Sequence, residues 1–292
     1  MGRLRDYIVL SRPFTLLAPL VGFFCGAIMA WKSVLPGSVF PRHVWLGAAG
    51  AVLLNIFSNA LNQIYDLEID RINRPERPLP AGRLKKIHAA IVAIVCLAEA
   101  LTLGAFLSRQ LLLVFAAAAL CTWLYSSPPA RLKRHWLPAH LVMAVARGLL
   151  IPVAGWAAVA PLHSPDPWAA GAVLFAFILG AAATKDFADM PGDRAGGIRT
   201  LPIAFGRNAA ARIMAPFLII PFLFIPGLTS MGWLHPAARP LTALSLYGAF
   251  AAILMIRGQA RPRLEKESRA AWVHMYILLM LAQVGFAACY LF

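Results

Sequence analysis

The chain has 292 residues, 60% of them hydrophobic and 13% charged, against roughly 45–50% and 25% in soluble domains. Too little polar surface remains to cover that much apolar material in water, which excludes a soluble globular fold. The formal net charge of +15 would otherwise suggest a nucleic-acid binder. In so apolar a chain it points instead to the basic flanks of membrane spans, with some charge left over for an anionic ligand.

A bilayer core about 30 Å thick needs roughly 20 apolar residues of helix. Charges and Pro/Gly clusters bound nine such runs, predicted over 14–31, 44–64, 87–107, 110–127, 137–157, 167–184, 211–231, 239–256 and 270–291. The first, between Arg12 and Lys32, is too long for a signal-peptide core and reads as a retained span. Pro216, Pro221 and Pro226 predict kinks in the seventh. Of the 27 Lys and Arg, 22 fall on the N-terminus and even-numbered loops and four on the opposite side; Arg147 lies inside span 5. The positive-inside rule then sets the N-terminus and even-numbered loops in the cytoplasm and the C-terminus outside, giving a multi-pass protein of the cell inner membrane. Cys25, Cys96, Cys121 and Cys289 are far apart in apolar stretches, so neither a disulfide framework nor a zinc site is indicated.

Seven of the 12 acidic residues sit in two segments, at the cytoplasmic ends of spans 2 and 6. In the first, Asn62, Asp66 and Asp70 at i, i+4, i+8 form one stripe if the helix continues; in the second, Asp186, Asp189 and Asp193 at i, i+3, i+7 do the same, with Pro191 able to loosen the turn. Like charges so spaced call for a cation, and oxygen donors of this kind suit Mg2+, which takes one or two carboxylates, waters and phosphate oxygens. Arg71, Arg74, Arg77, Arg83, Lys185, Arg194 and Arg199 crowd the same segments. A bare-cation site would gain nothing from them, whereas a metal-bridged diphosphate would. Diphosphate at the edge of a membrane-embedded pocket points to an isoprenyl diphosphate. Solvated helix ends, and basic loops serving only topology, are the plainer alternatives.

In both segments Asp-Arg is followed by Leu-Pro, Asp70-Arg71 by Leu79-Pro80 and Asp193-Arg194 by Leu201-Pro202. This predicts a single transmembrane domain, 1–292, with two pseudo-repeat halves, roughly 1–134 and 135–292, sharing a central cavity.

The segments resemble the NxxxDxxxD and DxxxD signatures of the UbiA superfamily of intramembrane prenyltransferases. Tyr125-Ser-Ser-Pro-Pro-Ala-Arg131-Leu-Lys133-Arg134 is similar to that family's tyrosine-containing basic loop 4–5, and Ser11-Arg12-Pro13 is family-like too. The resemblance implies an all-α membrane protein with nine helices around a cavity open laterally to lipid. It also implies that Mg2+ is held by Asp66, Asp70, Asp189 and Asp193, with Asn62 and Asp186 in support. Arg12, Arg77, Tyr125, Lys133 and Lys185 would bind the diphosphate. Loss of diphosphate would leave an allylic cation, so an apolar wall is a chemical requirement; Phe57, Phe115, Trp123 and Tyr125 are candidates for facing it.

Where many relatives carry Asn early in helix 5, this chain has His140, either an acceptor contact or a packed histidine. Arg147 and Glu99, the strong charges deep in spans, are either a buried pair or, for Arg147, a cavity residue facing the acceptor. The segments DRINRPERPLPAG and KDxxDxxGDRxxGxRTLP look closer to the family's glyceryl-phosphate and homogentisate/chlorophyll branches than to its 4-hydroxybenzoate or haem O branches. The expected reaction is Mg2+-dependent prenyl transfer to a small acceptor in the bilayer, leaning to geranylgeranylglyceryl phosphate. Transfer to an aromatic acceptor (homogentisate, 4-hydroxybenzoate or chlorophyllide type) and a membrane terpene cyclase are alternatives from the same ionisation. A transporter would put its acids at mid-membrane on broken helices. No Walker motif, GxGxxG or HExxH supports nucleotide, redox or zinc-hydrolase chemistry.

Overall fold

Each long apolar run closes its own backbone hydrogen bonds as a helix, as a lipid solvent demands. The computed structural model describes residues 2–260 and 265–292, with side chains for 4–259 and 270–292. Among the described residues, nine helices are long and apolar enough to cross a membrane: Pro13–Val34, Val44–Tyr65, Lys86–Leu107, Arg109–Ser126, Trp136–Ala157, Asp166–Ala195, Arg207–Ser230, Pro236–Gln259 and Ala270–Cys289. We call these spans 1 to 9. A short helix, Gly2–Ser11, precedes span 1. Arg261 and Arg263 of the loop before span 9 lie outside the described residues.

Two apolar clusters fill the bundle. Phe23, Val44, Ala48, Phe57, Ala100, Phe115 and Val153 anchor the one built from spans 1 to 5. Met29, Trp156, Leu174, Phe177, Phe222, Ala251 and Phe286 anchor the other, built from spans 1 and 5 to 9. Spans 1 and 5 contribute to both and form the seam. Their backbones nearly touch there: a Cβ on Gly26 would lie 1.8 Å from the Pro152 carbonyl oxygen, and one on Gly155 would lie 1.9 Å from that of Phe23.

Span 7 carries the three prolines expected to kink it. Its helix runs unbroken from Arg207 to Leu223 through Pro216 and Pro221, and breaks once at Phe224. Pro226 falls in the first turn of the following helix, Ile225–Ser230, where a missing N–H costs nothing.

The Glu99–Arg147 pairing is also overturned. Glu99 is exposed on the outer face of span 3, whereas Arg147 lines the interior cavity. Among the described residues the two helices are not packed neighbours: span 3 packs on spans 2 and 4, not on span 5. Glu99→Gln is accordingly expected to leave activity within about twofold of wild type, as for other exposed substitutions; a tenfold loss of activity would contradict this placement.

Candidate active site

Between Gly2–Ser11 and span 1 the chain breaks at Arg12, which takes a left-handed conformation (φ 52°) before Pro13. Such a backbone is costly for a side chain bearing a Cβ, of order 1–2 kcal/mol. Three polar residues of span 2 satisfy the free carbonyls here, those of Leu10 and Ser11 at the break and that of Thr15, which Pro19 leaves without an N–H donor inside span 1. Gln63 Nε2 donates to Leu10 O at 2.8 Å, Asn59 Nδ2 to Ser11 O at 2.8 Å, and Asn55 Nδ2 to Thr15 O at 3.0 Å. Spaced at i, i+4 and i+8, they clamp the break and fix where Arg12 emerges.

Span 2 ends at Tyr65, and a second helix, Leu67–Asn73, follows directly. Across the junction the i→i−4 bonds persist, Asp66 N–H to Asn62 O at 2.9 Å and Asp70 N–H to Asp66 O at 2.7 Å. The expected stripe of Asn62, Asp66 and Asp70 is therefore present, and all three line one cavity. Span 6 reaches its motif through a tight 3-10 turn, Ala182–Lys185, followed by Asp186–Ala195. Pro191 does not break that helix. Its missing N–H leaves the Phe187 carbonyl unsatisfied within the helix, and Arg207 Nη2 donates to that oxygen at 2.9 Å.

The two motif helices are tied to each other. Asn73 Nδ2 donates to Asp189 O, and Gly192 N–H donates to Asn73 Oδ1, both at 2.9 Å. A Cβ on Gly192 would lie 2.6 Å from the Asn73 amide carbon, so only glycine permits the approach. Arg74 adds an ion pair to Asp189 at 2.8 Å. Loop 4–5 joins them through Arg199 N–H to Arg134 O at 2.9 Å and Trp136 N–H to Arg199 O at 3.1 Å.

The result is a layer of alternating charge. Asp66 pairs with buried Lys133 and with Arg131 at 3.5 Å. Asp70 accepts from Arg77 at 2.7 Å and lies 3.9 Å from Arg12. Asp186 lies 3.7 Å from His140 Nε2, too far for a hydrogen bond. Burial pushes the Asp70 carboxyl up against the opposing pull of Arg77. It pushes the Lys133 ammonium down despite Asp66, and lowers Arg12 to about 10, with Arg77 adding repulsion. These charges are partly stripped of water, and a ligand carrying both signs would relieve them.

Below this layer opens a cavity of about 1040 Å³. Every residue singled out for a site role lines it: Arg12, Asn62, Asp66, Asp70, Arg77, Tyr125, Lys133, His140, Arg147, Lys185, Asp186, Asp189 and Asp193. The aromatic candidates fare worse. Phe57 is buried in the packed core and Trp123 is exposed, neither lining the cavity, while Phe115 lines only a smaller apolar extension of it. Trp136, Trp272 and Tyr276 stand there instead. Arg71 and Arg83 turn away, pairing with Glu68 and Asp6. The Asn73–Arg74 link, Arg131, Arg207 and Tyr276 carry no such spacing signal in the sequence.

The donors at the layer are carboxylates and an amide, with no thiolate, which fits a hard divalent ion. Among the described residues no three His, Cys, Asp or Glu side chains converge into a closed metal cage. A metal shared with substrate oxygens needs no such cage.

Comparison with known proteins places this architecture. The chain is 30% identical to a digeranylgeranylglyceryl phosphate synthase of Methanothermobacter thermautotrophicus, covering 97% of this chain and 96% of that one. It is also 30% identical to a bacteriochlorophyll synthase 34 kDa chain of Chloroflexus aurantiacus, covering 82% and 76%. Its fold is similar to that of a UbiA homologue from Archaeoglobus fulgidus bound to GPP and Mg2+, with a TM-score of 0.75 at 21% identity over 98% of this chain and all of that one. The model of the UbiA prenyltransferase family matches residues 19–280, from span 1 into span 9 and across both acidic helix ends, and the chain belongs to that family.

Proposed function

We propose that the protein transfers an isoprenyl group, of geranylgeranyl type, from its diphosphate to geranylgeranylglyceryl phosphate within the membrane. The observation that carries this reading is the charged layer closing one end of an apolar-walled cavity inside a nine-span bundle. Asp66 and Asp70 from one motif, and Asp186, Asp189 and Asp193 from the other, would hold Mg2+, with Asn62 beside them. Mg2+ bound there supplies charge neutralisation for the phosphate oxygens of the leaving group.

The side chains divide the remaining work. Arg12, Arg77, Lys133 and Lys185 bind the diphosphate oxygens, with the Tyr125 hydroxyl near Lys185 and Asp186. Arg74 and Asn73 hold the two motif helices at a fixed separation, so the leaving group is gripped from both sides. The apolar wall keeps water from the allylic cation once diphosphate departs. Full-length similarity to digeranylgeranylglyceryl phosphate synthases supports the acceptor. Likeness to a bacteriochlorophyll synthase favours an aromatic pigment acceptor as the second reading. The excess of basic residues on even-numbered loops supports a cytoplasmic layer, a cytoplasmic N-terminus and an external C-terminus. Likewise, the recurrence of an acidic helix end after spans 2 and 6 supports two repeated halves within one domain.

The test is turnover of labelled geranylgeranyl diphosphate by purified protein, with an acceptor panel and with none. Label on geranylgeranylglyceryl phosphate is the expected result. Label released without acceptor would indicate a cyclase, and no consumption would overturn the reading. A chelator that removes Mg2+ is expected to lower turnover at least 100-fold, reversibly on adding Mg2+ back; full activity in chelator would remove the metal assignment.

A further inference from the structure

Arg147 stands apart from the charged layer. It leaves span 5 seven residues beyond His140, about 10 Å deeper at 1.5 Å per residue. The residue sits in a π-helical segment, Val145–Leu149, where Leu150 N–H reaches back five residues to Val145 O. Gly148 lets this widened turn press on span 6, since a Cβ there would lie 2.6 Å from the Phe175 backbone. Insertions of this kind recur at functional sites.

The Arg147 side chain is exposed to the cavity, at the junction between the main chamber and its apolar extension. Among the described residues it has neither an ion-pair partner nor a hydrogen-bond acceptor, although Tyr125 and Tyr276 stand nearby. Arg12, Arg74, Arg77, Arg131 and Lys133, by contrast, are each matched by a carboxylate of the layer. An arginine inside a span keeps its charge and calls for an anion. The prenyl chain is neutral and its cation positive, while the diphosphate is answered two turns away.

We infer that Arg147 holds an oxyanion borne by the acceptor itself, a phosphate or a carboxylate, and so orients its nucleophile toward the reacting carbon. This rests on the prenyl-transfer reading above. The planar guanidinium fork suits either group through two parallel hydrogen bonds.

The test compares binding of charged and neutral acceptors, followed by fluorescence of the cavity tryptophans Trp136 and Trp272. Geranylgeranylglyceryl phosphate is set against geranylgeranylglycerol, and homogentisate against its methyl ester; the two arms separate a phosphate from a carboxylate. In one arm wild type should prefer the anion by about tenfold or more, the scale of one charge-assisted contact. Arg147→Gln should abolish that preference, and Arg147→Lys should keep part of it. Affinity for geranylgeranyl diphosphate with Mg2+ should stay within about twofold in both variants. An equal preference in Arg147→Gln, no preference in wild type in either arm, or diphosphate affinity falling in step would each overturn the inference. If wild type binds no geranylgeranyl diphosphate, the prenyl-transfer reading fails, and the charged-versus-neutral comparison still decides the role of Arg147.

Discussion

Asp66→Asn and Asp189→Asn are each expected to lower kcat by about 10²–10³, the loss seen when a preorganised charge is removed from a developing anion's site. The two carboxylates sit on different helix ends and meet different cations, Lys133 and Arg131 for Asp66 and Arg74 for Asp189. Neither substitution therefore compensates the other. Asparagine keeps the shape and one oxygen, so a loss reports charge rather than packing. Asp66→Ala is a harsher probe, because it strands Lys133, which is buried with Asp66 as its ion-pair partner, and stranding a buried charge costs about 3–5 kcal/mol. Glu68 supplies the internal control. It lies two residues from Asp66 in the same motif, but it is exposed and paired with Arg71. Glu68→Gln should turn over labelled geranylgeranyl diphosphate at the wild-type rate. Near-wild-type turnover by monodisperse Asp66→Asn protein would remove the metal and diphosphate assignment.

The spans were legible because the length of apolar runs is dictated by the bilayer, and for eight of the nine spans both ends in the structure lie within about four residues of the predicted bounds. Span 6 runs on to Ala195 because its acidic segment remains helical past the apolar stretch. The site acids were legible for a related reason: helical spacing converts Asn62, Asp66 and Asp70 into one face without knowledge of any partner. What the sequence hid depends on contacts between elements. Nothing local tells Asn73 that it will bridge to Asp189 and Gly192, or Arg207 that it will serve the carbonyl freed by Pro191. The same gap explains the Glu99–Arg147 expectation, since two charges of opposite sign within spans invite pairing until it is known which spans are neighbours. Asn55, Asn59 and Gln63 were readable in principle, as a polar stripe at i, i+4, i+8 within an apolar span.

Gly26→Leu is expected to abolish recovery of folded protein, because the seam between spans 1 and 5 has no room for a side chain. The nearest atoms to a Cβ at Gly26 belong to the Pro152 backbone, which cannot rotate away as a side chain would. Gly22, one helical turn earlier, faces Ile151 at 2.5 Å, so span 1 presents Gly22-Phe-Phe-Cys-Gly26 to span 5 as a small-residue face of the kind that brings membrane helices together. Overpacking a fitted interface costs about 1–3 kcal/mol, and more where the backbone itself must move. The consequence reaches the chemistry, because Arg12 stands immediately before span 1 while span 5 carries His140 and Arg147. Parting the spans would therefore widen the cavity across the ion layer. Gly26→Ala should give a milder version, with a lower thermal midpoint and reduced turnover in the protein that survives. Gly227, with nothing within 4 Å of its would-be Cβ, is the matched control, and Gly227→Ala should purify as wild type. Size-exclusion yield, thermal unfolding and turnover of the four proteins decide the matter. Wild-type yield and activity in Gly26→Leu would mean that spans 1 and 5 do not cross at backbone contact.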